Sequence, residues 1–141
     1  MSAENKAAIR RFIGQAFNAG DLAVVDELVA TDYVLHFTPE VDGPEGMKQF
    51  ISMYRTAFPD YTCTIEDQVA EGDKVVTRWT VRGTQKGELM GIPPTGKQVT
   101  MSGVVVDRLS NGRLLETWIQ ADTLGMLQQL GVVQVPAGRA A

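Results

Sequence analysis

The chain has 141 residues, 44% hydrophobic and 21% charged, with a net charge of −4 and a pI near 4.9. This is a globular composition long enough for one core and one cavity, and it argues against disorder. The acidic balance excludes a nucleic-acid partner, which would need a basic surface, and disfavours an anionic membrane. Cys63 is the single cysteine, so no intrachain disulfide is possible. The start, Met1 to Lys6, has no apolar run, and no stretch approaches the ~20 apolar residues of a membrane span. These features predict a soluble cytoplasmic protein with one domain over residues 1–135 and a loose tail from Pro136 to Ala141.

In chain order, Ile9, Phe12, Ile13, Ala16 and Phe17 recur at threes and fours, the stripe of an amphipathic helix that Gly20 can stop. Asp21 can cap a shorter helix carrying Leu22, Val25 and Leu28. A short strand is predicted from Tyr33 to Thr38. Gly43-Pro44 opens a third helix with a stripe of Met47, Phe50, Ile51, Tyr54 and Phe58, closed by Pro59. Beyond it the period changes to two. Strands are predicted over Tyr61–Val69, Val75–Thr84 and Val99–Leu109, with turns at Gly72-Asp73 and Gly91–Gly96. Asn111-Gly112 is a hairpin signal joining the last of these to a strand that ends at Asp122 and runs into a final helix. Helices followed by a meander of long strands predict an α+β fold, a curved antiparallel sheet with helices on its concave face.

The last strand carries the strongest candidate site. Glu116, Trp118, Gln120 and Asp122 share one face, and Leu115, Thr117, Ile119 and Ala121 the other. The first face is expected to line a pocket, with Trp118 as a flat wall, Gln120 as a hydrogen-bonding group and Glu116 paired with an arginine. The competing expectation is that Asp122 simply caps the final helix by accepting from the Gly125 amide. His36 is the sole histidine and can shuttle protons or polarise a carbonyl. Arg78 is preferred over Arg82 for neutralising an enolate or pairing with a carboxylate. Tyr54 adds an aromatic group from the third helix. Met90 and Ile92 are expected to line the pocket mouth from the Gly91–Lys97 loop. That loop spells Gly-x-x-x-x-Gly-Lys, but Gln98 replaces the magnesium-binding hydroxyl, two prolines remove amides, and a strand follows, so it is not a phosphate-binding loop. One histidine and one cysteine cannot build a usual zinc site. There is no Gly-x-Ser-x-Gly elbow, and Cys63 reads as buried.

Three stretches carry a family resemblance: Glu71-Gly72-Asp73-Lys74-Val75-Val76-Thr77-Arg78-Trp79-Thr80, Met90-Gly91-Ile92-Pro93-Pro94-Thr95-Gly96-Lys97, and Glu116-Thr117-Trp118 through Asp122 to Gln129-Leu130-Gly131. The layout resembles the cone fold of nuclear transport factor two, ketosteroid isomerase and scytalone dehydratase. The Gly-Ile-Pro-Pro-Thr-Gly run and the Asp-x-x-x-x-Leu-x-Gln-Leu-Gly ending are most similar to SnoaL-like polyketide cyclases (ester cyclases). The resemblance implies ring closure by intramolecular aldol condensation without metal or cofactor, on a small apolar or aromatic carbonyl compound. It also implies that an aspartate after the last strand, here Asp122, is the general base, and it turns the choice at that residue from cap to base. The histidine those enzymes use on the preceding strand has no counterpart in Val99–Leu109. A homodimer is expected from an apolar outer sheet face of Leu115, Ile119, Val104 and Val106. Two alternatives stand beside the cyclase. One is a binding module that holds an apolar ligand unchanged. The other is an epoxide hydrolase or isomerase, which would bring Asp122, Glu116 and Arg78 to one point.

Overall fold

The computed structural model describes residues 2–134; the tail expected from Pro136 to Ala141 lies outside them. Helix α1 (Ser2–Arg11) continues directly into a π-helical segment (Phe12–Asn18), where the Ala19 amide reaches back five residues to the Gly14 carbonyl. The predicted stripe faces inward: Ile9, Phe12, Ile13 and Ala16 are buried. The segment ends where expected, at Gly20 with φ +72°. The Arg55 guanidinium supplies the cap, donating to the carbonyls of Phe17 (2.7 Å) and Asn18 (2.8 Å). A Cβ at Gly20 would come within 2.8 Å of that guanidinium, so the turn and the cap need the same glycine.

Helix α2 (Ala23–Leu28) leads into β1 (Val29–His36), which starts earlier than the strand predicted from Tyr33. A two-residue strand, β2 (Val41–Asp42), precedes α3 (Gly43–Ala57). Met47, Ile51, Tyr54 and Ala57 form the buried side of α3. The meander follows as β3 (Thr62–Glu71), β4 (Lys74–Thr84), β5 (Gln98–Ser110) and β6 (Arg113–Ala121), closed by α4 (Thr123–Leu130).

Six strands form one curved, unclosed sheet in the order β2-β1-β6-β5-β4-β3. Neighbours are antiparallel except β1 and β6, which run parallel. That pairing brings the ends of the sequence together and cannot be read from local periodicity. The β5–β6 hairpin turns on Asn111 (φ 52°) and Gly112 (φ 75°), the left-handed pair that the Asn-Gly signal predicts.

The register decides which residues face the helices. On β4, Val75, Thr77, Trp79 and Val81 point inward; on β5, Val99, Met101, Val105, Asp107 and Leu109 do. The strand partner of Trp79 is Gly103. A Cβ on Gly103 would lie 2.4 Å from the indole Cζ2 and 2.6 Å from the Gln120 carbonyl oxygen. Glycine is therefore what lets the indole lie flat across β5. Gly103→Ala is expected to lower stability by about 1–3 kcal/mol by overpacking and to shift the Trp79 emission. Chemical denaturation followed by tryptophan fluorescence reads both.

Candidate active site

The sheet and the helical layer enclose a cavity of about 780 Å³, counting the space at its mouth. Ile9, Phe12, Ile13 and Phe17 line it from α1 and the π segment, and Met47, Phe50 and Tyr54 from α3. Tyr33 and Leu35 enter from β1, Trp79 and Val81 from β4, Met101, Val105 and Asp107 from β5, and Thr117, Ile119 and Ala121 from β6. Phe37, Tyr61 and Cys63 complete the wall. The aromatic rings brace one another: Phe50 meets Tyr54 edge-on at 5.1 Å between centroids, and Phe17 stacks on Tyr61 at 6.1 Å.

One carboxyl group faces this apolar space. Asp107 is 4% exposed and lies opposite Thr117 in the β5–β6 register. The Thr117 hydroxyl donates to Asp107 Oδ1 at 2.6 Å. Burial pushes the Asp107 carboxyl up to about 7, and the Thr117 hydrogen bond pulls against that rise. Tyr33 is fully buried beside them. Burial and the nearby Asp107 carboxyl push its phenol far above the usual range, with the Thr117 hydroxyl pulling against that rise, so it stays protonated. Burial likewise pushes the Cys63 thiol up to about 12, which leaves it unreactive as a nucleophile.

Of the residues expected at the site, only Tyr54 lines the cavity. The pocket-lining face of β6 is Thr117, Ile119 and Ala121, the reverse of the face the sequence reading favoured. Glu116, Trp118 and Gln120 point outward, and Trp118 is 37% exposed. His36 is outside as well. Its Nε2 lies 2.6 Å from Glu116 Oε2, and its ring stacks on Trp118 at 5.4 Å. Arg108 also donates to Glu116, and the His36 and Arg108 contacts hold that carboxyl below its usual range. Arg78 is exposed and paired with Asp67 at 2.7 Å. These contacts leave Asp122, Glu116 and Arg78 apart, so the three-residue convergence expected of an epoxide hydrolase is not formed.

Asp122 is exposed and takes the capping geometry: its Oδ1 accepts from the Gly125 amide at 2.9 Å. A carboxylate with a helix N-terminus to satisfy is drawn away from an apolar hollow. Ile119, expected on an outer dimerisation face, lies inside because it pairs with inward Val105. The Gly91–Lys97 loop does not reach the cavity. The buried side chain of Gln85 gathers it, donating to the Gly87 and Ile92 carbonyls and accepting from the Thr95 amide and hydroxyl. Ile92 packs against a second apolar cluster containing Met126 and Leu130, and Met90 is exposed.

Asp107 went unnoticed in the sequence, although a signal was there. Val99, Met101, Val105 and Leu109 fix the inward face of that strand by alternation, and Asp107 occupies the same series. Among the described residues no group of three His, Cys, Asp or Glu side chains could hold a metal ion, and no helix is long and apolar enough to cross a membrane.

Comparisons with known proteins converge on this architecture. Residues 7–130 match the family model described as SnoaL-like polyketide cyclase. The nogalonic acid methyl ester cyclase of Streptomyces nogalater is 30% identical over 120 residues, covering 82% of this chain and 90% of that protein. The structure of TsrD from Streptomyces laurentii superposes with a TM-score of 0.86 at 30% identity, covering 93% of this chain and 97% of TsrD. Wild-type IdmH from Streptomyces antibioticus gives 0.76 at 37% identity, with 91% and 99% covered. A match spanning residues 7–130, from the first helix to the last, places the chain in the SnoaL-like polyketide cyclase family.

Proposed function

We propose that the chain catalyses a cofactor-free, intramolecular aldol-type cyclisation of a small polyketide-like carbonyl compound inside the cone, with Asp107 as the general base. The observation that carries this reading is the single carboxyl group among the lining residues of an otherwise apolar cavity. A pKa of about 7 keeps the group part-ionised at neutral pH, where a base is most effective against a carbon acid.

In the proposed sequence, Asp107 carboxylate removes a proton from carbon beside a carbonyl. The C–H electrons pass into the enolate. The enolate carbon attacks a second carbonyl of the same molecule, forming one C–C bond and an alkoxide. The alkoxide takes the proton back from Asp107, so the product is an isomer and the enzyme is restored. Thr117 holds the carboxyl by its hydrogen bond to Oδ1 and leaves the other oxygen for the substrate. The aromatic wall from Phe50, Tyr54 and Trp79 folds the chain of the substrate so that the reacting carbons meet. Asp122, the base implied by the resemblance, would first have to leave the Gly125 amide and then turn from solvent into the cavity.

The substrate named for the nogalonic acid methyl ester relative is a suitable first probe. Conversion of nogalonic acid methyl ester to an isomer of equal mass is followed by chromatography with mass detection. Exchange of its acidic C–H for deuterium is followed by NMR. Asp107→Asn is expected to lower both rates by roughly 10²–10⁴-fold. Asp122→Ala is expected to keep activity within a few fold and to cost about 1 kcal/mol through the lost cap. Activity lost in Asp122→Ala and kept in Asp107→Asn would overturn the assignment. In the wild type, kcat/KM is expected to rise with pH through an inflection near 7 and to level above it.

The same carboxyl ties folding to pH. Its folded pKa, about 7, is raised above the ordinary 3.8. Between these values the folded state binds more protons than the unfolded chain, so stability falls as pH rises from about 4 to about 7 and is flat above. The full shift corresponds to roughly 4 kcal/mol. Asp107→Asn is expected to raise the melting temperature at pH 8 and to flatten that part of the pH–stability curve, measured by calorimetry.

A further inference from the structure

The Tyr33 hydroxyl stands out among the polar groups of the cavity. Tyr33 is fully buried and is one of the lining residues, yet its Oη has no hydrogen-bond partner among the described residues. Leaving a buried hydroxyl unpaired is costly, and phenylalanine would fill the same volume without that cost. The nearest polar neighbour is the Thr117 hydroxyl, close enough to ease the phenol's ionisation but not placed to make a hydrogen bond of ordinary geometry with it; its own hydrogen goes to Asp107 Oδ1. The group that remains is a protonated donor, held at the wall of an apolar hollow beside the one carboxyl in it.

We propose that Tyr33 is a catalytic residue whose phenol donates a hydrogen bond to the substrate carbonyl oxygen that becomes the enolate oxygen. The inference rests on the reading of Asp107 as base and assigns the complementary group. Deprotonation at carbon moves negative charge to the carbonyl oxygen, and the lining residues include no lysine, arginine or histidine to meet it. A neutral donor fixed in a dry site strengthens as that charge develops, so it acts on the transition state more than on the bound substrate. The arrangement is a division of labour across two strands. β5 supplies the group that takes the proton, and β1 the group that receives the charge. A tyrosine suits the second task, because Asp107 and burial disfavour its ionisation and it cannot compete for the substrate proton.

The test is Tyr33→Phe, read in two ways. With nogalonic acid methyl ester, kcat is expected to fall by about 10²–10³-fold, the usual loss for one oxyanion donor. KM should change little, the inflection near 7 set by Asp107 should persist, and the melting temperature should be unchanged or higher. The second readout is independent of turnover: 2-naphthol and naphthalene are titrated against wild type and variant by calorimetry. The variant is expected to lose about tenfold in affinity for 2-naphthol and none for naphthalene, because only the former presents an oxygen. Equal effects on the two ligands, or failure of both to bind the wild type, overturns the proposal. A variant that melts lower while keeping its kcat also overturns it, since that marks a purely structural hydroxyl. Should Asp107→Asn stay active while the naphthol selectivity persists, the base assignment falls and the Tyr33 contact with ligand oxygen stands.

Discussion

The structure depends on the pairing of Thr117 with Asp107 across β5 and β6. It places a hydroxyl and a carboxyl together on the inner face of the sheet, with Val105 and Ile119 as the next inward pair along the hairpin. A one-residue slip of β5 would turn Asp107 out to solvent and bring Arg108 into the hollow, and the same slip of β6 would bring in Glu116, in either case a charge with no buried partner suited to it. Register is thus set by what each face can tolerate, and the Asn111-Gly112 turn locks it at the end of the hairpin.

The two faces of the sheet divide the ionisable residues. Outside, His36, Glu116 and Arg108 form a contiguous polar group, with Trp118 stacked on the histidine. Arg78 and Asp67 pair farther along the same surface. Inside, Asp107 stands in an apolar room closed by α1, the π segment and α3. The division explains why no histidine, glutamate, lysine or arginine lines the cavity. Partners and water stabilise their charges outside, while the inner carboxyl is disfavoured as an anion and so kept basic.

The fold was largely legible in the sequence because its signals are local. Helical stripes, the change of period after Pro59, the stop at Gly20 and the Asn-Gly turn each specify the chain within a few residues. The parallel β1–β6 pairing was not legible, since it joins residues more than 80 positions apart and leaves no periodic trace. The site was legible only in part. Tyr54 follows from the α3 stripe. On β6, alternation correctly separates two faces but does not say which is concave. An aromatic and three polar side chains look like a pocket, whereas Thr117, Ile119 and Ala121 look like an ordinary core. The decision lies on the neighbouring strand, where the alternation of Val99, Met101, Val105 and Leu109 is unambiguous and carries Asp107 with it. Reading β6 through its hairpin partner would have resolved it. Asp122 shows two local signals competing for one side chain. A motif matched its position after the last strand, while the backbone amides of α4 already had a claim on its side chain.

The burial that raises the pKa of Asp107 is the same burial that makes it costly. Moving a carboxyl from water into this cavity penalises its charged form, and the folded protein carries that penalty at every pH where the group must ionise. Thr117 offsets part of it with one short hydrogen bond, but a second donor would lower the pKa further and weaken the base. The unpaired phenol of Tyr33 fits the same logic. Turned onto Asp107 it would satisfy both groups, stabilise the fold and remove the reactivity of each. Two buried polar groups kept short of partners amount to a local loss of stability, and a cavity that admits a carbonyl compound is where such a loss becomes useful.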